Sequence, residues 1–93
     1  MSEDFSSVHN HRETAVFEAV AEAAERFPQI SNDPAVLADV ACVALNRLQP
    51  RYIRHDVDYA FYLSDSERAE EERLVLKAVE LAYEFVQSRV AKR

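Results

Sequence analysis

The sequence contains no glycine and no tryptophan, and only one cysteine and three prolines in 93 residues. Each scarcity excludes something. Without glycine there is no Gly-rich phosphate loop and no GxGxxG turn, so P-loop and dinucleotide folds of that type are ruled out. Turns that need positive φ then fall to Asn or Asp. One cysteine, Cys42, makes no internal disulfide, and nothing argues for an oxidising compartment. No apolar run approaches the ~20 residues that span a bilayer. The start, Met-Ser-Glu-Asp-Phe, is acidic and lacks the apolar core of a signal peptide. A soluble, cytoplasmic protein without a membrane association is expected. No serine or cysteine sits in a nucleophile motif, and no Gly-rich turn builds an oxyanion hole, so a non-enzyme is expected.

What is present is the composition of one small globular domain, 48% hydrophobic and 30% charged, with a formal net charge of -6. A chain this short buries only about two thirds of its unfolded surface, so its own core is marginal. The negative balance works against nonspecific nucleic-acid coating, because phosphate binding is driven by counterion release from basic surfaces.

The hydrophobic pattern predicts an all-α fold, a bundle of three main helices over about 9–27, 34–48 and 64–90. A disordered tail at 1–8 precedes a single domain at 9–93. In the first helix, Val16, Val20, Ala23 or Ala24, and Phe27 recur at helical spacing, with Phe17 and Ala21 widening the stripe. Pro28 ends it, because the residue before a proline is pushed out of the α region. Asp33-Pro34 is a start signal, an N-cap carboxylate followed by proline at the first helical position. The helix it opens is apolar nearly all round and is expected to be the central, most buried one, with Cys42 among core residues. Pro50 stops it. Residues 51–63 are too rich in aromatic and aliphatic side chains for a loose loop. They read as an ordered connector packed on the bundle, with a short helical turn near Val57–Leu63. Ser64-Asp-Ser-Glu67 is a capping box. The helix after it runs about 27 residues, about 40 Å, longer than such a globule is wide. Its wide apolar band predicts self-association, most simply as a two-fold homodimer.

One window departs from the acidic balance. No Asp or Glu falls between Val40 and His55, and Arg47, Arg51, Arg54 and His55 sit inside or at the edge of that gap, near Tyr52, Tyr59 and Tyr62. An acidic chain that clears a cationic, tyrosine-lined window is most simply read as holding an anion there. A plainer reading is the stronger one on the residues alone. Arg47 complements the negative end of its helix, and Arg51 and Arg54 pair with Asp56, Asp58 or the Glu70–Glu72 run.

The run Ala44-Leu-Asn-Arg-Leu-Gln-Pro-Arg-Tyr-Ile53 resembles the core motif of the ComFB family, the late-competence-development proteins. The continuation Arg54-His-Asp-Val-Asp-Tyr-Ala-Phe-Tyr-Leu63 resembles its proteobacterial branch. The likeness covers roughly residues 10–90, and its specific part is 39–63. The first proline of the usual pair is Gln49 here. The cysteine cluster that binds zinc in Firmicutes members is missing, so a metal is not carried over. The resemblance implies a small helical homodimer. From cyanobacterial relatives it implies a receptor for cyclic di-GMP, tied to competence, pili and motility, which acts on a further protein.

On that basis Arg47, Arg51, Arg54 and His55 are the candidates for phosphates and guanine edges, and Tyr59 or Tyr62 for a stacking platform. Arginine suits the task because its planar fork pairs bidentately with phosphate or with guanine O6 and N7. Asn46, Pro50 and Tyr52 are expected to be structural, with Tyr52 closing the proline turn. Asp56 and Asp58 read as turn or cap chemistry in preference to a divalent-metal pair. His9 and His11, two apart on a helix, are expected to face different ways, so that with Cys42 they make no zinc set. No cofactor is required. The rival readings are a ligand-free adaptor docking an acidic partner and, less in keeping with the net charge, a single-stranded nucleic-acid binder.

Overall fold

The computed structural model describes residues 4–91, and within them lie four α helices and one two-stranded ribbon. In chain order these are β1 (His9–Asn10), α1 (His11–Ala23), a 3-10 turn (Ala24–Arg26), α2 (Pro34–Arg47), β2 (Tyr52–Ile53), α3 (Asp56–Tyr62) and α4 (Asp65–Ala91). Helices α1, α2 and α4 pack on one another. The all-α expectation therefore holds in outline, with α3 added as a fourth, short helix. Of the expected tail at 1–8, residues 1–3 lie outside the described residues. Asp4–Val8 make a turn in which the Val8 amide donates to the Phe5 carbonyl at 3.0 Å.

The first helix starts two residues later than the periodicity predicts. Asn10 is its N-cap, with φ -82° and ψ 107°, and its side-chain oxygen accepts from the Arg12 amide at 3.1 Å. A capping residue has extended backbone by necessity, which frees His9–Asn10 to pair antiparallel with Tyr52–Ile53. Asn10 followed by Glu13 three residues on is the sequence signal for this start. The apolar stripe buries in part: Val16, Val20 and Ala23 face the core with Ala19, and Phe27 is half-buried. Phe17 and Ala21, expected to widen the stripe, are exposed because they lie on the flank that no other helix covers.

Helix α2 begins where Asp33-Pro34 predicts, with the Asp33 carboxylate accepting from the Ala35 amide at 3.0 Å. It is not the central element. Only Val40, Ala41 and Ala44 are buried, and Cys42 is exposed. The small side chains that make α2 look apolar all round bring it close to α4 and α1 on one side and leave the opposite face open. The central helix is α4, which packs against both α1 and α2 through Val75, Ala78, Val79, Ala82, Tyr83 and Val86. Two neighbours inside the chain thus use most of the wide apolar band that suggested a second copy, while Leu76 and Phe85 stay exposed. Tyr83 is closed to solvent, stacks on Phe27 with ring centroids 4.3 Å apart, and donates to the Val20 carbonyl at 2.6 Å.

The 27-residue α4 has the predicted length. The Ser64 hydroxyl accepts from the Glu67 amide at 3.1 Å, which is the forward half of the capping box. The connector differs from expectation in how it packs. It forms β2 and α3, yet Tyr52, Val57, Phe61 and Tyr62 are exposed and α3 buries no residue. Seven residues make barely two turns, too few to set an apolar stripe against the bundle, and only Tyr59, Ile53 and Leu63 are half-buried.

Candidate functional site

The ribbon fixes the site. Asn10 caps α1 with one oxygen and with that same oxygen accepts from the Arg51 amide at 2.9 Å. The Arg51 carbonyl in turn accepts from the His11 amide at 2.8 Å. One carboxamide and one strand pair thereby hold Arg51 against the start of α1.

From there the guanidinium reaches two partners. It donates to Glu71 Oε1 at 3.2 Å and lies over the Tyr59 ring, 5.7 Å from the centroid. Glu71 Oε1 also accepts from Arg12 at 2.7 Å. Arg12 is buried on the apolar face of α1, so a charge-assisted bond is what makes its position tolerable. Its Nε finds no protein acceptor among the described residues, and neither does the buried Tyr59 hydroxyl. Burial and the nearby Glu71 charge hold the Tyr59 hydroxyl above its ordinary pKa.

Glu71 stands between two openings. A recess of about 400 Å³ is lined by Arg12, Arg51, Leu63 and Leu74 and by the polar Ser66, Glu67 and Glu70 beside Glu71. A cleft of about 300 Å³ on the other side is lined by His11, Tyr59 and Arg68 at one end and by α1 and α4 along its length. The side chain of Arg51 is 49% exposed, so its remaining N–H groups stay open to a visitor.

A second polar cluster ties down the start of α3. Asp56 Oδ1 lies 3.1 Å from His9 Nε2 and 3.3 Å from His11 Nδ1. His9 Nδ1 faces the Ser7 carbonyl at 2.9 Å. A carbonyl only accepts, so Nδ1 must carry a proton, and Nε2 needs another to bond an ionised carboxylate. His9 makes both contacts only as imidazolium, and its pKa is raised by the Ser7 carbonyl and by Asp56. Asp56 is correspondingly held below its ordinary value by the bonds from His9 and His11. The expectation that these histidines face different ways fails because His9 lies on the strand and only His11 on the helix. Among the described residues no group of three His, Cys, Asp or Glu is arranged to hold a metal ion.

The residues singled out in the sequence are not brought together as one cluster. Arg51 and Tyr59 meet. Arg47 is the exposed last residue of α2; Arg54 and His55 are exposed just ahead of α3, and among the described residues none of the three pairs with a carboxylate. Tyr62 is 83% exposed and meets Phe61 edge-on. Asn46 is exposed, as is Pro50. Tyr52 is 67% exposed but supplies backbone to the ribbon beside the proline turn. The plainer reading holds for Arg51, which pairs with Glu71 of the Glu70–Glu72 run, but not for Arg54. Sequence reasoning missed Asn10 and Arg12, and with Arg12 the second bond to Glu71. An arginine at position 12, in phase with the buried Val16, Ala19 and Ala23, is the signal that a buried acid must be waiting for it.

A helical domain whose start and connector are pinned by a short ribbon matches the profile of one family, described as late competence development protein ComFB, over residues 9–90. The chain belongs to the ComFB family. No match to it is found among curated proteins or among solved structures.

Proposed function

We propose that the chain is a non-enzymatic signalling effector that binds cyclic di-GMP, or a related guanine dinucleotide, at the connector and passes its state to a partner protein. The observation that carries this reading is Arg51, lying over the Tyr59 ring, fixed by Asn10 and Glu71, and half open beside a recess of about 400 Å³. Its planar fork suits a phosphate or a guanine edge, and Tyr59 gives the fork a rigid backing. Glu71 orients the guanidinium without consuming its outward N–H groups. Arg47, Arg54 and His55 lie outside this recess and contribute by raising the local positive potential. Membership of the family adds the competence, pilus and motility context that its resemblance implies.

In this reading the effector is a homodimer, which would offer two such recesses to a ligand with two like halves. Supporting a second copy are Val57, Phe61 and Tyr62 of α3, exposed by 80%, 86% and 83%. The second reading, a ligand-free adaptor docking an acidic partner, is supported by Arg54 and His55, exposed just ahead of α3 and paired with no carboxylate among the described residues.

Calorimetric titration of cyclic di-GMP into the pure protein should release heat with a Kd at or below the order of tens of micromolar, and Arg51→Ala should weaken it about tenfold, the scale of one bidentate guanine contact. No heat in that range overturns the dinucleotide reading and leaves the adaptor. Light scattering at about 100 micromolar, the weak end of useful association, should give a dimer mass.

A further inference from the structure

The cleft between α1 and α4 is built differently from the recess at Arg51. Its floor is aliphatic: Ala15 and Ala19 from α1, Val75 and Leu76 from α4. Its rim carries Glu18, Glu22 and Glu72, all exposed, and none of the three pairs with a cation among the described residues. Glu71, which also lines it, is already neutralised by Arg12 and Arg51. The one basic chain at its end, Arg68, is turned to the Ala60 carbonyl at 2.9 Å. An apolar trough under three unpaired carboxylates is a poor seat for an anion.

We infer that this cleft is the docking groove for a basic amphipathic helix of a partner protein. Such a helix offers what the walls lack. Aliphatic side chains cover Leu76 and the alanines, while lysine or arginine stems lie along the apolar floor and bring their charges to Glu18, Glu22 and Glu72. The residues of α1 that line the groove run from His11 to Glu22, about 17 Å of helix, which suits a three-turn contact. A volume of about 300 Å³ takes the side chains of such a helix and leaves its backbone outside. The chain's charge of -6 adds long-range attraction for that partner and repels a second copy of itself from the same groove. This deepens the effector reading by giving the partner a chemistry, and it needs no dinucleotide.

The test uses the full chain without nucleotide. The probe is a fluorescent Leu/Lys peptide of about 18 residues patterned as an amphipathic helix, beside a scrambled peptide of the same composition. The patterned peptide should bind with a Kd on the order of tens of micromolar and the scrambled one about tenfold more weakly. Glu18→Lys with Glu22→Lys should weaken binding about tenfold or more, while the control pair Glu25→Lys with Glu84→Lys, outside the groove, should change it by less than about threefold. Glu18→Gln with Glu22→Gln keeps the size of the rim and should fall between them. No binding of the patterned peptide, equal binding of the scrambled one, or equal losses in the groove and control variants each overturns the inference. Loss of dinucleotide binding does not bear on it.

Discussion

Val16, Val40, Val79 and Tyr83 are closed to solvent within the α1–α2–α4 bundle, whereas Val57, Phe61 and Tyr62 on α3 are 80%, 86% and 83% exposed. The bundle is held by burial of side chains in phase with the helical repeat. The ribbon and α3 are held by single polar ties: Asn10 to Arg51, Arg51 to Glu71, Asp56 to the two histidines. Apolar burial is diffuse and survives small changes, while a polar tie depends on one atom. The connector, where the candidate ligand site lies, is therefore the part of the molecule that a single substitution or a change of pH should rearrange without unfolding the rest.

The largest effect should come from the bundle. Tyr83→Ala removes a fully buried ring, its stack on Phe27 and its bond to the Val20 carbonyl, and urea unfolding should show a loss of about 4 kcal/mol. A loss below about 1 kcal/mol would mean that the bundle is not where the stability resides. The seam between the two regions comes next. Glu71→Ala leaves Arg12 buried without its carboxylate and should cost about 3 kcal/mol, with most of it regained when Arg12→Met is added. If the double variant is no better than the single one, the bond to Arg51 matters more than burial of Arg12.

The smallest effect should be local. His9 has its pKa raised from 6.5 in the folded chain, so its contribution is full below that value and is lost as pH rises through the raised one. Asp56 has its pKa lowered from 3.8, so its contribution is present above that value and is lost as pH falls through the lowered one. The clasp on α3 should thus hold at mildly acidic pH and loosen toward alkaline pH. Amide exchange of α3, corrected for its intrinsic pH dependence, should speed up as His9 loses its proton. Bundle amides should stay protected. An equal change in both regions would sink the contrast drawn here.

The same contrast explains what could be read from the sequence. Helix starts at Asp33-Pro34 and Ser64, the length of α4 and the buried stripe of α1 follow from neighbours a few positions apart, and the chain states them directly. The centre of the bundle was not legible from α2, because a run of small apolar residues looks the same whether all of its faces are covered or one is left open. Arg51 and Tyr59 could be named but not paired, and Arg12 and Glu71 were invisible as a pair because 59 positions separate them. Arg47 and Arg54, close to Arg51 in sequence, diverge from it because α2 ends before the ribbon and α3 starts after it.

The lack of glycine has a further consequence. Among the described residues no backbone angle enters the left-handed region, so every turn is made from conformations open to any L-residue. The joints of this molecule depend on no left-handed residue, and their stereochemical constraint comes from Pro28, Pro34 and Pro50 alone. A library that randomises Gln29–Asn32 while keeping Ile30 should return a high share of folded members, and drift in such segments between relatives should be wide wherever no side chain is tethered.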